Sequence, residues 1–364
     1  MNSIHEIFTT FGPEYLQRYA NRMPTTHLKA IDAIMGCRTE ACGIALYRCE
    51  TCAESHQLYR SCGNRHCPTC QYHKTQQWLE KQLQRQLPGH HFLITFTVPE
   101  PLRYFMRQNQ RVAYSALFKA SSEAIKKLAL DQNHIGADIP GFFGVLHTWG
   151  RTLQYHPHIH YVVSGGALCS SDGSWHPSRI DFFLPVKALS KIFRAKFRDL
   201  MKQSHLFDQI PPQVWQVDWN VNCQAVSSSE ASLKYLAPYV FKVAISNSRI
   251  VKVQDRTVLI RYRKPHSDRP RILALEVMEF IRRFLQHVLP CGFMKIRYYG
   301  FMNPNCVVSL DRIRALIEIS YGFTADLPKS DVEPRRPNTC ASCGGLLKLR
   351  ALLLPAARVL RWSG

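Results

Sequence analysis

Tyr155-His156-Pro157-His158-Ile159-His160-Tyr161 is the stretch on which the reading of this chain turns. It runs on through Val162-Val163-Ser164 to Gly165-Gly166, an apolar segment closed by two glycines, as a strand is. Residues two apart on a strand share a face, so His158 and His160 project together while Ile159 points to a core. Their imidazoles then stand about 6–7 Å apart, close enough to hold a divalent metal if a third ligand comes from elsewhere. A lone histidine is more often a satisfied core or surface residue. Two at strand spacing, beside a third, are harder to place that way. The third ligand stays open between Gln154, His156 and His147, candidates by nearness in sequence.

On either side, short alternating segments interleave irregularly with helical ones. HHFLITFTVPE, with Leu93, Thr95 and Thr97 alternating against Ile94, Phe96 and Val98, predicts a half-buried strand, and FFGVLHTW (142–149) a second. A third strand is expected at 214–221, where Trp215, Val217 and Trp219 alternate with Gln216 and Asp218, and a hairpin at 249–263. Helices are expected over 101–131, 187–204, 228–245 and 275–289, and as a lead-in over 1–35 with Leu16, Tyr19, Met23 and Leu28 loosely spaced. This mixture predicts an α+β fold with a largely antiparallel sheet flanked by helices.

Ahead of the sheet lie seven of the thirteen cysteines, between Cys37 and Cys70. Cys49-Glu50-Thr51-Cys52 and Cys67-Pro68-Thr69-Cys70 are two C-x-x-C turns with fourteen residues between them. Two residues between thiolates let a tight turn aim both sulfurs at one ion, and two such turns complete a tetrahedron, so a small zinc-ribbon-like domain with structural zinc is expected on Cys49, Cys52, Cys67 and Cys70. Cys37, Cys62 and His66, with His56, are left over as candidates for a second site, or as buried small residues and surface histidines. Cys42 reads as a packing residue. A further half ribbon, Cys340-Ala341-Ser342-Cys343, has as candidate partners the leftover cysteines or Cys306, or binds nothing.

Lys234-Tyr235-Leu236-Ala237-Pro238-Tyr239 would put Tyr235 and Tyr239 on one face of a helix, although Pro238 kinks a helix interior. Paired tyrosines at that spacing are usually the edge of a core. Phenols are also poor nucleophiles at neutral pH unless a metal polarises the phosphate they attack. Residues 256–272 carry Arg261, Arg263, Lys264 and Arg269 around Tyr262, cations for phosphates and a ring for bases, as single-stranded DNA requires.

Composition agrees with such a partner. The 364 residues suffice for two or three domains, and 47 Lys and Arg against 26 Asp and Glu leave a net charge of +21. That balance points to a polyanion, nucleic acid before membrane. With 46% apolar residues, no long apolar run and no secretory signal pattern, disordered, membrane-spanning and secreted classes are set aside. The expected division is 1–80 for the lead-in and zinc module, 88–300 for the sheet domain, and 301–364 for a C-terminal segment whose tail, LLKLRALLLPAARVLRWSG, reads as a basic amphipathic helix.

The chain resembles the insertion-sequence transposases of the IS ninety-one type, members of the HUH (His-hydrophobe-His) endonuclease superfamily. The matching stretches are CRTEACGIALYRCETC, YRSCGNRHCPTCQ, FLITFTVPEPLR, VLHTWGRTLQYHPHIHYVVSGG, FFLPVKALSKIFRAKF, KYLAPYVFKVAISNSRI, EFIRRFLQHVLPCGFMKIRYYG and CASCGG, in order from about residue 25 to 345. The resemblance implies rolling-circle transposition of single-stranded DNA. His158 and His160 would be ligands of Mg²⁺ or Mn²⁺, and Tyr235 and Tyr239 nucleophiles forming a 5′-phosphotyrosine link that preserves the phosphodiester energy, so that no nucleotide cofactor is needed. It also implies a bacterial, cytoplasmic, nucleoid-associated protein that takes duplex unwinding from a host helicase or replication proteins, since no helicase motif is visible. A plasmid or phage replication initiator and a non-catalytic zinc-dependent DNA-binding protein are the alternatives.

Overall fold

The computed structural model describes residues 3–226, 233, 244–264, 267, 269–324 and 338–355. Two compact units divide the chain, one made of Met1–Gln76, Phe241–Val288 and Asp331–Gly364, the other of Gln77–Val240 and Leu289–Ser330. Each unit gathers segments that lie far apart along the chain.

In the first unit, helix α1 (Ile4–Tyr19) begins at a capping box in which Glu6 N–H donates to Ser3 Oγ and Ser3 N–H to Glu6 Oε2. Ile4, Ile7, Phe8 and Tyr15 form its buried face, rather than the Leu16 and Tyr19 that the spacing suggested. This face packs against α2 (Thr25–Met35) and the helix Val277–Leu285, with Phe8 edge-on to Phe284 at 5.1 Å. Two antiparallel three-stranded sheets complete the unit. One is β1 (Ile44–Cys49) flanked by β2 (Ser55–Tyr59) and β12 (Leu347–Leu353); the other is β9 (Thr257–Arg263) between β8 (Ile250–Gln254) and β10 (Pro270–Glu276). The hairpin expected at 249–263 is therefore present. Leu347–Leu353, the first part of the tail, is a strand where a helix was expected, since Leu347, Leu349 and Ala351 alternate with Lys348 and Arg350 and β1 offers an edge to pair with; residues 356–364 lie outside the described residues.

The second unit is built on an antiparallel sheet in the order β11 (Ile296–Tyr299), β4 (Ile139–Trp149), β5 (Tyr155–Leu168), β3 (His91–Thr97), β7 (Asn220–Val226), with β6 (Trp175–Pro177) on the far end of β5. Helices α4 (Gln110–Leu130) and α5 (Val186–Lys202) cover one face. Phe92 and Phe96 of β3, Phe142 and Leu146 of β4, and Ile159 and Tyr161 of β5 meet Phe118, Phe193 and Phe197 there. The long helical stretch breaks at Asn109, which separates α3 (Arg103–Gln108) from α4. Trp215 and Trp219 do not lie on a strand: residues Pro212–Trp215 are a 3-10 turn, and the two indoles stack at 6.1 Å and 16° beside Phe197. Aromatic rings gathered on a turn mimic strand alternation here.

On the other face, His91 is 4% exposed at the start of β3, its Nδ1 3.2 Å from Gly89 O. Burial, only partly opposed by that carbonyl, lowers its pKa to about 4. The folded state thus keeps His91 neutral while an unfolded chain takes up a proton near the ordinary value of about 6.5. Its contribution is whole above that value and is lost as pH falls from about 6.5 towards 4, by up to about 3 kcal/mol. Thermal melts of the wild type and His91→Gln between pH 7 and 4 should show a shallower loss of stability in the variant; parallel curves would exclude this role.

Candidate active site and metal centres

Strand register assembles the site. β5 pairs with β4 and β3 so that His158 faces His147 on one side and Thr97 on the other, while His160 faces Val145 and Thr95. His158 and His160 share the face opposite the core, as the period of two predicts, and Ile159 is fully buried on the other side. One ligand nitrogen from each of His147, His158 and His160 lies within 4.8 Å of the others. Ring centroids are 5.3 Å apart for His147 and His158, 4.6 Å for His147 and His160, and 4.8 Å for His158 and His160. Of the three candidates for a third ligand, the structure brings in His147. Gln154 is turned into its own loop, where its Oε1 accepts from Thr152 N–H at 3.0 Å, and His156 stands at the edge of the cluster, 5.1 Å from His158.

Each ring is oriented. His156 O lies 2.7 Å from His158 Nδ1, so that nitrogen carries the proton and Nε2 keeps its lone pair for a metal. Thr95 Oγ1 is 2.8 Å from His160 Nδ1, and Trp149 stacks on His147 at 4.9 Å and 19°. Burial, reinforced by the neighbouring rings, holds His147 and His158 well below the ordinary imidazole pKa, and burial brings His160 to about 4. All three are neutral near pH 7, the form that ligates metal. Positive charge stands close by: Lys295, whose Nζ is 4.8 Å from the Trp149 ring centre, acts on His147, and Arg103 acts on His156 and His158. Neither cation was singled out for this site from sequence, because both reach it from other elements of the fold.

Tyr235 and Tyr239 lie outside the described residues. Leu233, two positions earlier, is buried and lines a recess with His91, Phe143, Val162 and Ser164 on the same sheet face as the three histidines.

The cysteines group differently from the expectation of one site on Cys49, Cys52, Cys67 and Cys70. The Sγ atoms of Cys37, Cys62, Cys67 and Cys70 form one cluster, and those of Cys49, Cys52, Cys340 and Cys343 another, each within 4.8 Å. The two C-x-x-C turns do not face each other: β12, paired to β1, brings the distant half ribbon to Cys49 and Cys52. Sulfur separations of 3.3 Å for Cys37–Cys70, 3.4 Å for Cys62–Cys70, 3.5 Å for Cys49–Cys343 and 3.7 Å for Cys52–Cys340 approach the roughly 3.8 Å between thiolates on tetrahedral zinc. The Cys62 thiol lowers Cys67 to about 5, and the Cys52 N–H lowers Cys49 to about 6, so each cluster holds one readily formed thiolate. His66 is buried with its N–H on Asn64 Oδ1 and supplies no ligand to the first cluster, and Cys42 Sγ donates to Gly36 O. Arg261, Arg263, Lys264 and Arg269 are all exposed, on β9 and in the connection to β10.

The family described as "Transposase zinc-binding domain" matches residues 7–98, and that described as "Putative transposase" matches residues 141–309. "Putative transposase y4qJ" of Sinorhizobium fredii (strain NBRC 101917 / NGR234) is 35% identical over 320 residues, 82% of this chain and 80% of that one. The "Transposase for insertion sequence element IS801" of Pseudomonas savastanoi pv. phaseolicola is 25% identical over 358 residues, 90% of this chain and 84% of that one. No solved structure matches. The chain belongs to the IS ninety-one type of insertion-sequence transposases, DNA-processing enzymes with a zinc-binding domain. Among the described residues, no helix is long and apolar enough to cross a membrane.

Proposed function

We propose that this transposase nicks and rejoins single-stranded DNA through a 5′-phosphotyrosine intermediate during rolling-circle transposition of its insertion sequence. The observation that carries the reading is the cluster of three neutral, oriented imidazoles on the sheet face opposite the aromatic core, with two cations beside it. His147, His158 and His160 would hold one divalent cation, which when bound draws electron density from the scissile phosphate. Three nitrogen donors suit Mn²⁺ better than Mg²⁺, which prefers oxygen. The phenolate of Tyr235 or Tyr239 attacks phosphorus after losing its proton to water. The bond to the 3′ oxygen breaks, that oxygen leaves as a hydroxyl, and the phosphate stays on tyrosine at the 5′ end. Attack by another 3′ hydroxyl reverses the step, and the second tyrosine serves the second strand transfer. Lys295 and Arg103 supply positive charge for the phosphate, and Arg261, Arg263, Lys264 and Arg269 supply contacts to the flanking strand. Cys37, Cys62, Cys67 and Cys70 would hold the structural zinc of the zinc-binding domain.

A denaturing gel of the protein with labelled single-stranded oligonucleotides from the element's ends tests the reading. A covalent adduct should form with Mn²⁺, vanish with chelator, and be lost in Tyr235→Phe or Tyr239→Phe. Tight binding to those ends with no adduct in any metal would overturn it in favour of a non-catalytic DNA-binding protein.

A further inference from the structure

We infer that Cys49, Cys52, Cys340 and Cys343 bind a second structural zinc ion that clasps residues 338–353 to the N-terminal module. The matched zinc-binding domain spans residues 7–98 and contains only half of these ligands. This assignment is independent of the nicking chemistry, since both could hold or fail separately.

The two halves are near copies of one turn. Ala53 N–H donates to Cys49 O at 3.1 Å, and Gly344 N–H donates to Cys340 O at 2.9 Å, the same step of four residues in each. The residue after the second cysteine is left-handed in both, Ala53 at φ 62° and Gly344 at φ 73°. Such a turn gathers two sulfurs and points backbone N–H groups at them; Thr51 N–H lies 3.4 Å from Cys49 Sγ. Further backbone bonds lock one half to the other: Glu50 N–H donates to Leu346 O at 3.0 Å, beside the register of Cys49 with Leu347. Gly345 permits the approach, as a Cβ there would stand 2.3 Å from Thr51 Oγ1 and 3.0 Å from Cys49 Sγ.

The sulfur set is graded from inside to outside, with Cys49 and Cys340 buried and Cys52 and Cys343 exposed. His56 Nε2 is 3.2 Å from Cys340 Sγ, placed to donate to a thiolate and so to offset part of the negative charge of four sulfurs around one ion. Unlinked, these thiols would crowd at van der Waals distance without a bond, since all thirteen cysteines are free. An ion turns that crowding into a cross-link between segments nearly three hundred positions apart.

The test uses the full chain, loaded with zinc and, in parallel, with cobalt in place of zinc. Elemental analysis should show one fewer ion per chain in Cys340→Ala/Cys343→Ala than in the wild type, with about half the thiolate-to-cobalt absorption lost. Cys37→Ala/Cys62→Ala should lose the other half. Cys340→His, which keeps a ligating atom, should retain the ion. Amide exchange in residues 44–49 and 347–353 should quicken in the Cys340→Ala/Cys343→Ala protein but stay slow in Cys340→His. An unchanged ion count and unchanged absorption in Cys340→Ala/Cys343→Ala would overturn the assignment. So would the loss of both ions at once, which would mean that the clusters are not separate sites.

Discussion

Replacing His147 with alanine is expected to reduce metal-dependent strand cleavage roughly a thousandfold and to weaken Mn²⁺ binding, while leaving DNA affinity almost unchanged. His147 comes from β4, opposite His158, and its ring centre is 4.6 Å from that of His160, so its removal leaves two ligands where three converge. Polarisation of a phosphoryl oxygen by a bound cation is worth several kcal/mol, and each 1.4 kcal/mol is about tenfold in rate. His156→Ala is the contrasting variant. Its side chain lies outside the three-histidine group, and the carbonyl that orients His158 survives the substitution, so a loss of less than about tenfold is expected. Single-turnover cleavage of a labelled oligonucleotide, together with Mn²⁺ titration, separates the two. If His156→Ala proved crippling and His147→Ala mild, the assignment of the third ligand would have to move.

Gly144→Val should destabilise the second unit by about 3 kcal/mol or more. A Cβ at Gly144 would lie 2.4 Å from Tyr161 Cε1, 2.7 Å from Cδ1 and 3.1 Å from Ile159 Cγ2. The Tyr161 ring has no room to retreat. It is fully buried, edge-on to Phe96 at 5.8 Å and to Phe142 at 5.4 Å, and its hydroxyl is 2.7 Å from Ser121 Oγ. For a unit of this size the melting temperature should fall by roughly 6–12 °C. Because Tyr161 adjoins His160, cleavage should suffer even below that temperature. Tyr161→Val should restore part of the stability in the double variant, as the space it vacates accepts the new side chain; strictly additive losses would refute the proposed clash.

The strand that carries His158 and His160 was legible because its information is local. A period of two at His158, Ile159 and His160 states both the strand and the shared face, and the sheet bears it out. The third histidine was not legible to the same degree. Whether Gln154, His156 or His147 turns towards the pair depends on how β4 and β5 register across a bulge between His147 and Trp149, and nothing within eleven residues of chain encodes that pairing. The cysteines divide in the same manner. Each C-x-x-C announces a turn, but which turn meets which is settled by β12 lying against β1, not by nearness in sequence. Leu347 to Leu353 carried a legible alternation that its cations disguised as a helix face, and Trp215 and Trp219 showed an alternation that belonged to stacked rings. Arg103 lacked any local mark.

The pairing of β1 with β12 also bears on how the molecule is made. At synthesis rates of about 5–20 residues per second, Cys49 and Cys52 leave the ribosome roughly 15–60 s before Cys340 and Cys343 do. During that interval an edge of β1 and two thiols stand without the partners that β12 and the half ribbon supply, while the segments of the second unit up to Val240 emerge and become available to collapse. A chain interrupted before residue 340 would carry the three histidines without Cys340 and Cys343, so the cluster they form with Cys49 and Cys52 waits on the last stretch of the described chain.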